Sequence, residues 1–568
     1  MMSTIESEAG PALAAEIDDL PGFRTRLRVR GLSVGFETAD GIRPIVQDVS
    51  FDLDPGQCVA IVGESGSGKS VTARTVVGLT GRGAHVRADE LVLHGHDVRR
   101  LGERRWRGIR GKEVGFILQD ALVSLDPLRP VGAEIEESLR LHGWGDRASR
   151  RRKVIELLDA VGVPAPERRA RQRPDQLSGG LRQRALIASA LALDPDVVIA
   201  DEPTTALDVT VQAQVLALLE DAKRRGSSIL LISHDLSVVA QLADHIVVMR
   251  DGRVVEQGPA GQVLREPREE YTRALIAAVP DEDTRGRALS PEGAALLADA
   301  PPQPEVLDTV VLEATGLVKH FRTPDGAVTT AVDDVSFRLH RGETLGIVGE
   351  SGSGKSTTGR IALALEDADA GSVTLLGEPW SELREPRRRA RRSRIAVVSQ
   401  DPLSSFDPRW NVERILLDAL PAGAQPTAAA RRARVHELLG QVGLTDAVLR
   451  RFPRKLSGGQ RQRIAIARAL ATSPDIVVLD EAVSALDVTI QAQILDLLVA
   501  LQRRLGLSYL FISHDLGVIA HLSHRVLVMK DGRVVEEGTP DQIFHEPAHE
   551  YTRRLIASIP AFEPRSHA

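Results

Sequence analysis

The octapeptide Gly-Glu-Ser-Gly-Ser-Gly-Lys-Ser occupies positions 63–70 and recurs, letter for letter, at 349–356. The first copy follows the apolar run Val59-Ala60-Ile61-Val62 and leads into Val71-Thr72-Ala73-Arg74, an expected buried strand and an expected helix. Strand, glycine loop and helix are the setting in which G-x-x-x-x-G-K-S cradles phosphate. Glycines let backbone N–H groups converge on phosphate oxygens, and the helix N-terminus adds a positive dipole end. Lys69 and Lys355 would reach the β- and γ-phosphates, and the Ser70 and Ser356 hydroxyls would ligate Mg²⁺. A ligand-free glycine turn would not repeat in register 286 residues later (355 − 69 = 286) with its surroundings repeated as well. The chain is therefore expected to be α/β, with two P-loop domains in tandem.

At 568 residues the chain exceeds what one core can organise, and length alone predicts three or four domain-sized units. A hydrophobic content of 42% and a charged content of 26% are those of an ordinary globular protein. The net charge of −6 gives no basis for nucleic-acid binding, and the arginine-rich runs at 150–153 and 387–394 read as solvated faces. No run of eighteen apolar residues predicts a membrane span. The acidic N-terminal stretch lacks the basic region of a signal peptide, so a cytoplasmic protein is expected. Cys58 is the only cysteine, which excludes an internal disulfide and any multi-cysteine metal site. It reads as a small core residue of the strand before the first P-loop.

Taken in order, residues 1–22 read as a mobile tail. Alternating strands before each P-loop predict a small antiparallel sheet, and Phe36 and Phe321 end corresponding strands where either ring could stack on an adenine. Gln119 and Gln400 follow apolar strands and are placed to touch Mg²⁺ or an attacking water. Segments 134–163 and 412–442 carry helical spacing. They close on Leu-Ser-Gly-Gly, in which Ser178 and Ser457 are expected helix N-caps. The glycines that follow, Gly179 and Gly180 in one copy and Gly458 and Gly459 in the other, expose N–H groups as a second phosphate-binding surface. Two apolar strands then end in Asp201-Glu202 and Asp480-Glu481, where ligands bind in parallel sheets. The aspartates would complete a Mg²⁺ shell, and the glutamates would act as general bases on water. His234 and His514 end the next strands and are expected to contact a γ-phosphate. Each half closes on a Glu-Pro-x-x-x-Tyr-Thr-Arg motif, and residues 282–308 between them have the Pro, Ala and acidic composition of a flexible linker.

This ordered set of motifs, present twice, resembles the ATP-binding subunits of ABC transporters over nearly the whole chain outside the tails. The closing motifs resemble the C-terminal extension of the peptide/nickel importer subfamily, here with two ATPases fused. The resemblance implies a RecA-like core, an antiparallel β subdomain and a helical signature subdomain in each half. It places the first domain at 23–281, the second at 309–562 and a tail at 563–568. It implies ATP and Mg²⁺ as ligands, and an intramolecular pseudo-dimer with two ATP molecules at its head-to-tail interface. Gly63, Ser65, Gly66, Gly68, Lys69, Ser70, Gln119, Asp201, Glu202 and His234 would work with Ser457, Gly458 and Gly459. Gly349, Ser351, Gly352, Gly354, Lys355, Ser356, Gln400, Asp480, Glu481 and His514 would work with Ser178, Gly179 and Gly180. Asp208 and Asp487 would connect the two sites. Leu181 stands where the family's signature usually has Gln, and Ala482 follows Glu481 where Pro203 follows Glu202; neither removes a group needed for chemistry. The implied partners are two transmembrane permease subunits, docking near 119–126 and 400–407, with an extracytoplasmic solute-binding protein acting indirectly. The expected location is the cytoplasmic face of the membrane, the expected cargo di- or oligopeptides. The competing reading is a soluble twin ATPase acting on ribosomes or nucleic acid; the short, Pro/Ala-rich linker, in place of a long charged helical one, and the single cysteine count against it.

Overall fold

The computed structural model describes residues 25–119, 124–204, 207–302, 306–322, 328–421, 423, 427–484 and 486–558. Both expected tails, and residues 120–123 of the first expected docking segment, lie outside them. The chain divides into two compact units, with the boundary in sequence between Arg273 and Ala274. The length-based expectation of three or four is thus corrected: each unit combines an antiparallel sheet with a mainly parallel one.

In the first unit, strands β1 (Leu27–Thr38) and β2 (Gly41–Leu53) form an antiparallel pair. Strand β3 (Cys58–Val62) runs into helix α1 (Lys69–Val76). Strands β4 (Ala84–Arg87) and β5 (Glu90–Leu93) pair antiparallel with β1, and β6 (His96–Asp97) pairs with β5. Further elements include β7 (Val114–Ile117), α2 (Val131–Leu141), α3 (Arg147–Ala160), α4 (Gly179–Ala190), β8 (Val197–Asp201), β9 (Ser228–Ile232), α5 (Leu236–Leu242), β10 (His245–Arg250), β11 (Arg253–Pro259) and α6 (Glu270–Ala277), which crosses the boundary. The central sheet has the order β11-β10-β3-β9-β8-β7, parallel throughout except for β11 on the edge.

Sequence pattern explains this division of labour. Every residue of β3, β8 and β9 is buried, as continuous apolar strands covered on both faces should be. Strand β1 alternates instead: Leu27, Val29, Leu32 and Val34 turn inward and share one core with Val59 and Ile61 of β3. Cys58 is fully buried within β3, and burial pushes its thiol pKa up, which fits the core role expected of it.

In the second unit, helix α7 (Pro291–Ala298) precedes a repeat of the plan. Strands β12 (Leu307–Arg322), β13 (Val328–Arg341), β15 (Ala370–Leu375) and β16 (Glu378–Pro379) form the antiparallel sheet, with β14 (Thr344–Val348) and α8 (Lys355–Ala362) between them in sequence. Then follow β17 (Ile395–Val398), α9 (Val412–Ala419), α10 (Ala428–Gln441), α11 (Gly458–Leu470), β18 (Ile476–Asp480), α12 (Val488–Leu505), β19 (Ser508–Ile512), α13 (Leu516–Leu522), β20 (Arg525–Lys530), β21 (Arg533–Gly538) and α14 (Glu550–Ala557). The central sheet order is β17-β18-β19-β14-β20-β21, the counterpart of the first. Among the described residues no helix is long and apolar enough to cross a membrane.

One segment departs from expectation. Residues 282–308 read as flexible, yet α7 forms within them and packs along α12. The buried Asp496 carboxylate accepts from the N–H groups of Leu289 (2.9 Å) and Ser290 (2.9 Å) and from the Ser290 hydroxyl (2.7 Å). Ser290 in turn caps α7 by accepting from the Gly293 N–H at 2.9 Å, and Leu289 enters the second unit's core. Composition missed this because Pro and Ala, counted in bulk, read as linker. In position they read differently: Ser290 before Pro291 is an N-cap followed by proline in the first turn.

Candidate active site

Three neighbouring parallel strands of the first unit, β3, β9 and β8, deliver the P-loop, His234 and the Asp201-Glu202 pair from their carboxyl ends. That edge is where open α/β sheets bind ligands. The loop itself is set by its glycines. Gly63 has φ +143, and a Cβ added there would lie 2.1 Å from the Met249 carbonyl oxygen, so no other residue fits. Gly66 has φ +88 but nothing within 4 Å of an added Cβ; its backbone conformation demands glycine while the space beside it stays open. The second loop matches, with Gly349 pressed by Met529 at 2.2 Å and Gly352 open.

Lys69 is 5% exposed and its ammonium donates to the carbonyls of Gly63 (2.7 Å) and Glu64 (2.8 Å). Lys355 makes the same two bonds, to Gly349 (2.7 Å) and Glu350 (2.8 Å). Burial depresses the Lys355 pKa, opposed most by the nearby Glu481 carboxylate. Gly68 and Gly354 precede the helices that Lys69 and Lys355 open, and Ser65 and Ser351 are exposed on the loops.

The Ser70 hydroxyl donates to Asp201 Oδ1 at 2.7 Å, and Ser356 to Asp480 Oδ1 at 2.9 Å. Asp201 is fully buried, and burial raises its pKa as it does that of Asp480. Its Oδ2 makes no hydrogen bond among the described residues; the nearest cation is Arg74, at 3.9 Å. A buried carboxylate oxygen without a donor, beside a serine hydroxyl, fits a divalent cation of the oxygen-seeking kind.

Glu202 and Glu481 follow with φ +51 and +49, a left-handed conformation rare for a side-chain-bearing residue. Each is held there by its N–H, which donates at 2.9 Å to the carbonyl of Ile232 or Ile512 on the neighbouring strand. The turn aims the carboxylates at two partners. Gln119 donates through Nε2 to Glu202 at 2.7 Å, and Gln400 to Glu481 at 2.7 Å. The glutamines thus sit on the glutamates, a partner that the sequence did not name. His234 Nδ1 lies 3.3 Å from Glu202, and His514 Nδ1 3.5 Å from Glu481. Burial opposes charge on both imidazoles, yet the adjoining carboxylate outweighs it and holds each above its ordinary value. Burial likewise works to raise Glu481, but the His514 hydrogen bond prevails and keeps it below the usual carboxylate range. One carboxylate, one amide and one imidazole at a sheet edge form a site that can orient water and accept its proton.

A family model described as ABC transporter matches residues 46–205 and again 332–484. The chain belongs to the ABC transporter family. A second model, the C-terminal region of oligopeptide/dipeptide transporters, matches 255–302 and 535–568 of this ABC protein. It is 43% identical to the oligopeptide transport ATP-binding protein OppD of Mycobacterium tuberculosis, with 95% of this chain and 99% of that one covered. It is 41% identical to the glutathione import ATP-binding protein GsiA of Pectobacterium atrosepticum, covering 95% and 90%. Among solved structures, a dimeric ATP-binding cassette bound to ADP and Pi is 30% identical, with 40% of this chain and 98% of that one covered and a TM-score of 0.38.

The signature helices of this ABC ATPase carry the expected caps. Ser178 accepts from the Leu181 N–H at 3.4 Å at the start of α4, where Gly179 and Gly180 form the first turn. Ser457 accepts from the Gln460 N–H at 3.3 Å, and the Ser457 N–H donates to Gln460 Oε1 at 3.3 Å, over Gly458 and Gly459. Asp487 caps α12 through the Ile490 N–H at 3.1 Å, and Asp208 precedes the equivalent helix, Val209–Arg224. Phe36 packs partly against the first core, while Phe321 is 41% exposed with the Lys319 ammonium 5.4 Å from its ring. Sequence reasoning treated the tyrosines of the closing motifs only as family markers. The structure puts both of them on the P-loops.

Proposed function

We propose that this ABC transporter subunit hydrolyses ATP at two sites and energises uptake of di- or oligopeptides through two membrane-spanning permeases. The observation that carries the reading is the doubling of everything: two complete sets of P-loop, signature helix, acidic pair and histidine, each followed by an oligopeptide/dipeptide-type C-terminal region. The OppD and GsiA names, oligopeptide transport and glutathione import, both denote peptide cargo.

In this reading each P-loop and its lysine bind the β- and γ-phosphates of one ATP, and each signature Ser-Gly-Gly offers its N–H groups to phosphate. Ser70 with Asp201, and Ser356 with Asp480, would hold Mg²⁺, which would supply neutralisation of phosphate charge. Gln119 and Gln400 position the glutamates and the cation's surroundings. Glu202 and Glu481 accept a proton from the water that attacks the γ-phosphorus, and the bond to the bridging oxygen breaks to release ADP and phosphate. His234 and His514, whose pKa the adjoining glutamates raise, stabilise the phosphate as negative charge develops. The subunit works at the cytoplasmic face of the membrane, with a solute-binding protein delivering cargo on the far side.

The test is to tag the full chain, extract membranes in mild detergent and identify what co-purifies. Two multi-span membrane proteins are expected. Ribosomes or nucleic-acid-repair proteins, with no membrane partner, would overturn the transport assignment and leave the ATPase chemistry standing.

A further inference from the structure

Each half ends in a helix whose second residue is a tyrosine, and each tyrosine reaches the P-loop of its own unit. The Glu64 N–H donates to the Tyr271 hydroxyl at 3.1 Å, and the Glu350 N–H donates to the Tyr551 hydroxyl at 3.1 Å. The peptide group involved is the one that joins Gly63 to Glu64. Its carbonyl oxygen accepts from Lys69 Nζ at 2.7 Å, while its N–H is held by the tyrosine. The second loop repeats this, with Lys355 on the Gly349 carbonyl at 2.7 Å. Ammonium, peptide and phenol form a line in which each hydrogen bond polarises the next.

The phenol is itself fixed. The Arg250 guanidinium lies 4.9 Å from the Tyr271 ring centroid, and the Lys530 ammonium 5.1 Å from that of Tyr551. These cations directly follow Met249 and Met529, whose carbonyls press on Gly63 and Gly349. The start of each tyrosine helix is pinned by a hairpin glutamate. Glu256 accepts from the N–H groups of Arg268 (2.8 Å) and Glu269 (3.1 Å), and Glu536 from those of Ala548 (2.7 Å) and His549 (3.1 Å). Burial pushes Tyr551 up to about 12, so the hydroxyl stays neutral and available.

We propose that Tyr271 and Tyr551 are positioning residues for nucleotide: each hydroxyl latches the first peptide of its P-loop, so that the closing motif braces the phosphate cradle. This rests on the ATP-binding reading above. When phosphate recruits the lysine, the Gly63 and Gly349 carbonyls lose or share their strongest donor, and the tyrosine bond is what keeps that peptide from turning. A side chain needed only to fill space would serve as well as phenylalanine; the latch needs the oxygen.

The experiment compares the full chain with Tyr271→Phe, Tyr551→Phe and the double variant, which keep the ring and remove the hydroxyl. Titration with a fluorescent ATP analogue plus Mg²⁺, and steady-state hydrolysis, are read together. Each single change should weaken analogue affinity at its own site about fivefold, the factor corresponding to one net hydrogen bond. In the double variant KM for ATP should rise by a similar factor while kcat holds, with the unliganded melting temperature unmoved. Glu256→Gln combined with Glu536→Gln should shift affinity in the same direction. A double Phe variant with wild-type affinity and KM overturns the latch alone. So does one that loses melting temperature without a KM change, since that marks a purely structural hydroxyl. A wild-type chain that fails to bind the analogue overturns the ATP reading beneath it.

Discussion

Glu202 and Glu481 are the residues at which this chain concentrates backbone strain and chemistry together. A left-handed backbone at a non-glycine residue costs roughly 1–2 kcal/mol and persists only where its surroundings hold it. Here the interstrand N–H bond holds it, and the result is a carboxylate facing amide and imidazole. Changing Glu202→Gln or Glu481→Gln keeps size and hydrogen bonding but removes the proton acceptor. If the two sites fire as a coupled pair, each single variant should lose nearly all ATP hydrolysis, by about 10²–10⁴-fold. Steady-state phosphate release measures this, and full activity in either variant would refute the coupling. Which residues stand in the site was legible from the motifs. Their positive φ was not, nor was the bond between Gln119 and Glu202, because residues 83 apart are joined by sheet order rather than by local pattern.

Between residues and domains, the elements show how much of a pattern survives one substitution. Both signature helices start from a serine cap, but only α11 has the reciprocal bond from its third residue, Gln460. Leu181 in α4 leaves that second donor unanswered. Leu181→Gln should complete the box and stabilise the first unit by about 0.5–1 kcal/mol; Gln460→Leu should destabilise the second by a similar amount. Urea unfolding followed by circular dichroism would register both signs. Strands were the most legible elements, since a buried parallel strand announces itself as an uninterrupted apolar run. Helix α7 was the least, because eight residues held by a distant carboxylate carry little periodicity of their own.

At the scale of the molecule, the segment between the P-loop halves belongs to the second unit rather than to the solvent. Thr284 Oγ1 lies 3.0 Å from His521 Nδ1, and the Thr344 N–H donates to His524 Nδ1 at 3.0 Å. Burial, with Arg285 nearby, lowers both histidines to about 4 from 6.5. A depressed pKa means the neutral ring stabilises the fold above 6.5, and that contribution is lost as pH falls toward 4. The second unit should therefore lose roughly 2 kcal/mol per histidine between pH 6.5 and 5. Thermal melts across that range should show the loss, and His521→Gln, the residue found at Gln241 in the first half, should remove about half of it, leaving the share of His524.

The clamp at Asp496 also fixes the order in which the gene can be read. The stretch Val-Gln-Ala-Gln-Val-Leu-Ala at 211–217 answers to Ile-Gln-Ala-Gln-Ile-Leu-Asp at 490–496. The carboxylate that grips Leu289 and Ser290 is thus an alanine, Ala217, in the other copy. Two duplicated cassettes with the same active-site letters are no longer interchangeable: transposed in the reading frame, the half now leading would carry a receptor with nothing to hold, and the half now trailing would have none to offer.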